Sequence, residues 1–432
     1  MRFTAAGELL MMRQMPGDGP YAGLTPVQQF IAKGDFRFAN LESTVHRYEC
    51  PPSQESGGSW TCADPAVLDS VKTFGFNALS LANNHSLDYS FEGLIKTLDY
   101  VRQAGFLAAG TGLNLHEASQ PVYLDCQSGR FALIAATSTF KLYGLAGEQS
   151  AQLPGRPGVN GIRYKERYQV TAAQLAALRE ISDATKLNAY RDIIRAEGYL
   201  AALPPDQLDF NGLLFQEGDT AKRITEVEQQ DMERLEKMIF EARLQADAII
   251  ISLHAHELGG TSKETPADFI ETIAHRCIDA GAHAVIGHGP HLLRPLELYK
   301  GCPIFYSLGD FVLQNENILR GPAQWFRAQK LSPDATMHEL FAARSKQFTR
   351  GLYSDPKMFE AVVPYWEMQD GRLKKLQLLP VECGYGMSRA SAGWPRFAPD
   401  KGILERLAVM SAPYGTQMEI RDGIGEVKIP EG

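Results

Sequence analysis

The segment from Ala284 to His291 constrains the fold more than any other part of the chain. It reads Ala-Val-Ile-Gly-His-Gly-Pro-His, and its short apolar run predicts a buried strand. The strand ends at Gly287 and is followed by His288 and His291 in a turn that Pro290 stiffens. Imidazoles grouped at the end of a strand suit borderline divalent metals, so further ligands are expected elsewhere in the chain.

Four other predicted strands also end in polar side chains. In chain order these are Glu8, Glu42, the Asn83-Asn84-His85 run with Asp88, and the His254-Ala255-His256-Glu257 run. Glu8 alone is better explained as a solvated turn residue, and a lone histidine is usually structural. Five such clusters favour another explanation, because buried carboxylates and imidazoles are costly unless they are paired or coordinate a metal. The mixture suits two adjacent metal ions bridged by one carboxylate.

Predicted strands and helices alternate along the chain, which indicates an α/β fold. We expect a single domain, 1–432, with insertions at about 46–61, 187–225 and 314–358; the second is a candidate lid. The C-terminal part, 361–432, is expected to add a hairpin around Asp370-Gly371 and a helix that pack on the same domain.

The composition disfavours some classes of binding partner. The net charge of −8 disfavours nucleic acid or an anionic membrane, and no apolar run approaches the ~20 residues of a membrane span. The first residues do not resemble a signal peptide. The six cysteines form no Cys-x-x-Cys pair, so we expect a cytoplasmic protein. Pairing of Cys50 with Cys62 under oxidation stays open as the less favoured alternative.

Three arginines are candidates for holding a substrate anion. Arg156 and Arg163 belong to a loop rich in Gly and Pro, and a rigid loop of this kind suits the grip of an anion. An ordinary surface turn explains the loop equally well. Arg389 is the third candidate.

Several motifs together resemble a known family. They are Ala39-Asn-Leu-Glu42, Leu81-Ala-Asn-Asn-His-Ser-Leu-Asp88, Ser252-Leu-His254, Gly287-His-Gly-Pro-His291 and Tyr306-Ser-Leu-Gly-Asp-Phe311. In these motifs the chain resembles the poly-γ-glutamate (capsule) biosynthesis family CapA, of the calcineurin-like metallophosphoesterase superfamily. The resemblance implies a four-layer αββα sandwich of the metallo-dependent phosphatase type, with helical and loop insertions.

The resemblance also implies roles for individual residues. Glu42 matches the bridging carboxylate of a pair of divalent metals, which would be Mn, Zn or Fe. The resemblance assigns Asn84, His254 and His288 to one metal, Glu8 and His291 to the other, His85 to proton donation or charge stabilisation, and Asp88 to the orientation of His85.

The chain departs from the family pattern at five places. Glu8 stands for the usual Asp, Leu10 for a histidine, Gly289 for a frequent histidine, His256-Glu257 for Trp-Gly, and Asp310 for Asn. The loss at Leu10 leaves one metal with fewer protein ligands. His256 is therefore a candidate for the missing nitrogen, and His256 and Glu257 are both candidate contacts to metal or substrate.

Two functions of different classes follow from these patterns. The first is a two-metal hydrolase that acts on an amide or peptide bond, γ-glutamyl included, or on a phosphoester of a small anionic substrate. The alternative is a non-catalytic, metal-stabilised binding or scaffold protein for poly-γ-glutamate synthesis. A nuclease is disfavoured by the acidic balance, and the sequence leaves a homo-oligomer open.

Overall fold

The computed structural model describes residues 1–17 and 21–430, which contain twenty-four strands and eleven α-helices. The first twelve strands are β1 (Arg2–Leu10), β2 (Phe36–Leu41), β3 (Thr44–Val45), β4 (Cys62–Ala63), β5 (Ala78–Ser80), β6 (Leu107–Ala109), β7 (Thr111–Gly112), β8 (Val122–Cys126), β9 (Gly129–Thr137), β10 (Gly158–Val159), β11 (Tyr164–Val170) and β12 (Gln207–Phe210). The others are β13 (Leu213–Glu217), β14 (Lys222–Val227), β15 (Ala248–His254), β16 (Ala284–His288), β17 (Leu296–Tyr299), β18 (Cys302–Phe305), β19 (Asp310–Leu313), β20 (Glu360–Gln369), β21 (Arg372–Glu382), β22 (Arg396–Phe397), β23 (Met418–Arg421) and β24 (Ile424–Val427).

The helices lie between these strands and after them. They are α1 (Leu24–Ile31), α2 (Val67–Phe74), α3 (Ser90–Gln103), α4 (Leu115–Ser119), α5 (Ala172–Thr185), α6 (Ala189–Ala196), α7 (Gln229–Arg243), α8 (Asp268–Ala280), α9 (Ala323–Ala328), α10 (Met337–Arg344) and α11 (Gly402–Ser411). None of the helices in the described part of the chain is long and apolar enough to cross a membrane.

Two large mixed sheets organise the fold. The ten-stranded sheet runs β23-β24-β21-β20-β1-β2-β5-β6, with β19 also paired to β1 and β22 to β21. The six-stranded sheet runs β17-β18-β16-β15-β9-β8. Each sheet has a parallel centre and antiparallel strands toward an edge. The predicted mixed α/β class is therefore confirmed.

Of the six apolar clusters among the described residues, the three largest lie between the two sheets and between each sheet and its helices. Along β15, Ile250 faces the cluster between the two sheets, whereas Ile249 and Ile251 face the cluster that α7 and α8 cover. Helices α1, α2 and α3 pack with the other face of the ten-stranded sheet. A strand that is buried on both faces reads as a continuous apolar run rather than an alternating one, which explains the sequence of β15.

The segments predicted as insertions contain regular structure of their own. Within 187–225 lie α6, β12, β13 and the start of β14, and these strands join β11 in a separate four-stranded sheet ordered β12-β13-β11-β14. In the segment 314–358, Trp325 packs on Trp60 of the 46–61 loop, with ring centroids 5.5 Å apart. Cys50 and Cys62 are free thiols. The hairpin of β20 and β21 turns at Asp370-Gly371 and joins the ten-stranded sheet.

Candidate metal centre

Strand register brings the polar residues of distant segments to one rim of the two sheets. In the ten-stranded sheet Glu8 pairs in register with Asn40 on one side and with Asp310 on the other. In the six-stranded sheet His254 pairs with His288. The carboxyl ends of parallel strands meet at one edge, and the short contacts between Glu8 and His254 show that both sheets deliver these ends to the same place.

Glu42 lies at the centre of the cluster. Its Oε1 is 3.7 Å from His254 Nε2 and 3.9 Å from His85 Nε2, and its Oε2 is 4.0 Å from His291 Nδ1. Two groups have all three ligand atoms within 4.8 Å of one another, namely Glu42–His254–His256 and Glu42–His291–Asp310. Glu42 belongs to both groups.

Several buried polar atoms of the cluster have no hydrogen-bond partner among the residues that the structure describes. They are both carboxylate oxygens of Glu42, both ring nitrogens of His288, Asn84 Oδ1 and Asp310 Oδ2. Buried polar atoms are almost always satisfied, and each exception needs a reason. Carboxylate oxygens, imidazole nitrogens and an amide oxygen form a mixed O/N donor set that Mn²⁺, Fe²⁺ and Zn²⁺ accept. These residues therefore fit divalent metal ions.

The electrostatics of the cluster also suit cations. Burial, reinforced by Glu8 and Asp310, raises the pKa of Glu42 well above its usual value. Burial and the neighbouring Asp310 raise the pKa of Glu8 to about 8. Burial alone lowers the pKa of His288 to about 3, which favours the neutral imidazole, and the unprotonated ring nitrogen of that form can coordinate a metal. A bound cation would favour the ionised carboxylates and leave the neutral imidazole unchanged.

His85 and Asp88 form a separate pair beside Glu42. His85 Nδ1 lies 2.6 Å from Asp88 Oδ2. Asp88 also accepts hydrogen bonds from the backbone of Gly57 at 2.8 Å and from Thr61, whose amide and hydroxyl lie 2.7 and 2.9 Å away. The carboxylate is thus fixed, and it directs His85 Nε2 toward the Glu42 side of the cluster.

Glu8 and Asn84 also lie at this rim of the sheets, and the motifs do not predict their contacts. Glu8 Oε1 is 3.8 Å from His254 Nδ1 and Oε2 is 4.0 Å from His288 Nδ1. Glu8 is therefore close to the two histidines that the resemblance assigns to the other metal. It accepts hydrogen bonds from the Asn40 amide and from the Gly289 backbone. Asn84 donates to the Gly57 carbonyl at 2.9 Å, which leaves its Oδ1 for another partner.

Two further residues of the cluster, Asn40 and Asp310, were not predicted as site residues. Asp310 Oδ1 lies 3.1 Å from His291 Nδ1. Burial disfavours the imidazolium of His291, but Asp310 outweighs burial and raises the pKa of His291. Asn40 lies 3.2 Å from His254 Nδ1. The Tyr306–Phe311 motif could have indicated Asp310 as a site residue. For Asn40 the sequence offered only its position near the end of β2.

Four predicted contacts have other partners. Arg163 binds Asp231 through Nε and Nη2 at 2.7 and 3.0 Å, and Arg156 donates to the Leu145 carbonyl at 3.1 and 2.9 Å. Arg389 Nη2 lies 3.5 Å from Glu316 Oε2, and Glu257 accepts from Ser138 and Thr139 at 2.7 and 3.1 Å. Each of these four side chains therefore contacts a protein partner outside the two metal-ligand groups.

Comparison with known proteins identifies the family of the chain. The family model described as bacterial capsule synthesis protein PGA_cap matches residues 2–315, and the chain belongs to this family. The uncharacterized protein y4sH of Sinorhizobium fredii is 31% identical over 441 residues, covering 99% of this chain and 92% of that protein.

Relatives with a described role are more distant. The PGA biosynthesis protein CapA of Bacillus subtilis is 24% identical over 310 residues, which cover 71% of this chain and 61% of that protein. A probable polyglutamine synthesis accessory protein of Mycobacterium tuberculosis is 26% identical over 250 residues, 58% of this chain and 48% of that protein. The chain thus matches about half to three fifths of the length of these two relatives.

Proposed function

We propose that this protein is a metal-dependent hydrolase that uses two divalent cations, Mn, Zn or Fe, on an amide, γ-glutamyl or phosphoester bond of a small anionic substrate. The observation that carries the proposal is the set of buried ligand atoms without partners around Glu42. Glu42 would hold both ions, with His254 and His256 on one side and His291 and Asp310 on the other. Glu8, Asn84 and His288 would complete the coordination.

The proposal includes the layered fold of the superfamily. Two mixed sheets share an apolar cluster, and helices cover the outer face of each, an arrangement that supports a four-layer αββα sandwich. Free thiols in all six cysteines support a reducing compartment, and we propose the cytoplasm.

The chemistry divides between the cations and the protein. Glu42 and the histidines around it would hold the two cations, whose chemistry would be to lower the pKa of a water and to stabilise the developing negative charge. His85 would donate a proton from Nε2 to the leaving group, while Asp88 holds the Nδ1 proton and fixes the ring. Thr61 and the Gly57 backbone hold Asp88 in turn, so His85 is oriented before substrate arrives.

A groove of about 720 Å³ supports an anionic substrate. Its wall includes Leu292, the neighbour of His291, and the exposed cations Lys263 and Arg350. In the described residues neither cation has an ion-pair partner, whereas Lys357 in the same groove is paired with Glu264 at 2.6 Å. Lys263 and Arg350 would therefore meet an anionic end of the substrate, in the role that the sequence predicts for Arg156, Arg163 or Arg389.

The scaffold function is the second candidate. Two relatives carry the words biosynthesis protein and accessory protein in their names, and an accessory role is compatible with a metal that only stabilises the fold. Under this alternative the protein would bind metal and a glutamyl product without turning over any substrate.

Metal analysis combined with an activity panel separates the two candidates. The protein would be stripped with chelator, reloaded with Mn²⁺, Zn²⁺ or Fe²⁺, and assayed on p-nitrophenyl phosphate and γ-glutamyl p-nitroanilide. For the hydrolase we expect two metals per chain, and a loss of about 10²–10⁴-fold in turnover for His85→Ala with the metals retained. His275→Ala is the matched control, because His275 pairs with Glu297 outside the centre. Metal-loaded protein that is inert on every substrate would favour the scaffold.

A further inference from the structure

The loop that follows β15, residues 255–266, approaches Gly289 unusually closely. A Cβ at position 289 would lie 2.9 Å from the carbonyl carbon of Ala255 and 3.0 Å from His256 Cδ2. Gly289 also has φ +118, a backbone conformation that side chains disfavour. The backbone of Ala255 donates to the His288 carbonyl at 2.8 Å, which ties the loop to the end of β16. Only glycine at 289 leaves room for the loop and the His256 ring.

Arg294 holds the same loop from the other side. Its side chain is 1% exposed, and its nitrogens donate to four backbone carbonyls of the loop. These are Ala255 at 3.1 Å, His256 at 3.2 Å, Glu257 at 2.9 Å and Lys263 at 2.8 Å. Within the described residues no carboxylate forms an ion pair with it. Burying a cation without a counter-ion costs free energy. Here the hydrogen bonds of the buried guanidinium fix the backbone around His256.

The held loop presents His256 to His254. The two Nε2 atoms lie 3.1 Å apart, and the planes of the rings are tilted by 55°. Two nitrogens 3.1 Å apart subtend about 100° at an ion about 2.0–2.1 Å from each, which is close to tetrahedral coordination. The His256 amide also donates to Thr139 Oγ1 at 2.9 Å, so the backbone that carries the ring is fixed as well.

We propose that Gly289 and Arg294 are positioning residues that make His256 a ligand of the metal shared with Glu42 and His254. The inference rests on the proposed metal centre. It adds that Gly289 and Arg294 both act on the metal affinity through the position of the His256 imidazole. The ligand is a borderline divalent cation that accepts two imidazoles and a carboxylate.

Metal titration tests the coupling without reference to activity. Co²⁺ would be titrated into metal-free protein, with its visible absorption and the bound stoichiometry as readouts. We expect His256→Ala, Gly289→Ala and Arg294→Lys each to weaken one of two Co²⁺ sites about 10–100-fold, and to leave the other site unchanged. The double variant of His256→Ala with Gly289→Ala should weaken the site no further than His256→Ala alone, because both changes remove the same ligand.

Two matched substitutions control for general effects on the fold. Gly260→Ala places a side chain at φ +66 in the same loop, but no atom lies within 4 Å of its Cβ. Arg13→Lys removes a comparable clamp, since Arg13 donates to the carbonyls of Ala390 and Ala392 at 2.7 and 2.9 Å. We expect both controls to retain two Co²⁺ sites of unchanged affinity. If Arg294→Lys does not fold, Gly289→Ala decides the question.

The outcomes separate this inference from the function on which it rests. Protein that binds two Co²⁺ ions with equal affinity before and after His256→Ala overturns the inference and leaves the hydrolase proposal standing. Additive losses in the double variant also overturn the coupling. Wild-type protein that binds no Co²⁺ overturns the proposed metal centre itself.

Discussion

The candidate metal centre and the inserted four-stranded sheet both bury carboxylates, but only the inserted sheet supplies those carboxylates with arginine partners. In the inserted sheet, Asp209 is 6% exposed and accepts from Arg191 at 2.6 Å, Arg195 at 2.8 Å and the Gly212 amide at 2.7 Å. Burial alone would raise the pKa of Asp209, yet these bonds outweigh burial and lower it. The protein itself satisfies this charge.

Asp231, which ties α7 to the start of the inserted sheet, repeats the pattern. It is 2% exposed and accepts from Arg163 and Arg234, the latter at 2.6 Å. Again burial opposes ionisation, and the arginines hold the pKa below its usual value. Glu42 has no such donors among the described residues. If the proposed function is right, a buried carboxylate supplied with protein donors is structural, whereas one left without them is a metal ligand.

The largest expected effect on activity comes from replacing Glu42, the buried carboxylate without protein donors among the described residues. Glu42→Gln should lower metal-dependent turnover at least about 100-fold, because metal ions contribute several kcal/mol to transition-state stabilisation. The same change should raise the free energy of unfolding of the metal-free protein by about 1 kcal/mol at neutral pH, because burial opposes the ionised form of Glu42 and raises its pKa, a cost that Gln does not carry. Denaturant unfolding in chelator measures the second effect. A destabilised metal-free variant would contradict the comparison.

Removing a satisfied charge should have the opposite sign. Asp231→Asn should lower the free energy of unfolding by about 3 kcal/mol, because it removes the negative charge that two arginines share and replaces one of its two acceptor oxygens with a donor. Metal stoichiometry should not change. Asp183→Asn is the control, since Asp183 is exposed on α5 and has no ion pair among the described residues. If Asp231→Asn lowers the free energy of unfolding no more than the control does, the two arginine contacts of Asp231 do not stabilise the fold.

The sequence predicted those parts of the centre that follow an apolar run. His254 ends β15 and His288 ends β16, and the structure brings both within 4 Å of Glu8. Asp310 could not be found in this way, because it begins a strand rather than ending one. Its place beside Glu8 depends on a pairing between segments about 300 residues apart, which no local pattern encodes.

The inserted sheet was the least predictable region for a related reason. In α6 the arginines at 191 and 195 bind Asp209, while Tyr190 and Ile193 are 74% and 56% exposed. This arrangement reverses the usual amphipathic pattern. The partner of Arg163 lies 68 residues further along the chain, so its loop indicated an anion site as readily as a structural ion pair.

A smaller effect concerns pH. The folded-state pKa of Asp231 is below its unfolded value, so its stabilising contribution is complete above about pH 4 and is lost as pH falls through the folded pKa. The difference in unfolding free energy between wild type and Asp231→Asn should therefore be constant near neutrality and shrink below about pH 4. Urea unfolding from pH 7 to pH 3 measures it. A difference that grows on acidification would have the wrong sign for a satisfied carboxylate.

The smallest expected effect concerns Glu257, a carboxylate beside the candidate metal centre that has protein donors. Glu257 is next to His256, but its oxygens accept from the hydroxyls of Ser138 and Thr139, so it counts as satisfied. Glu257→Gln retains an acceptor of the same shape and should change the free energy of unfolding by less than about 1 kcal/mol. Metal affinity should also stay within about threefold of wild type, against the much larger losses expected at His256. Loss of a metal in Glu257→Gln would show that donors supplied by the protein do not exclude a carboxylate from coordination.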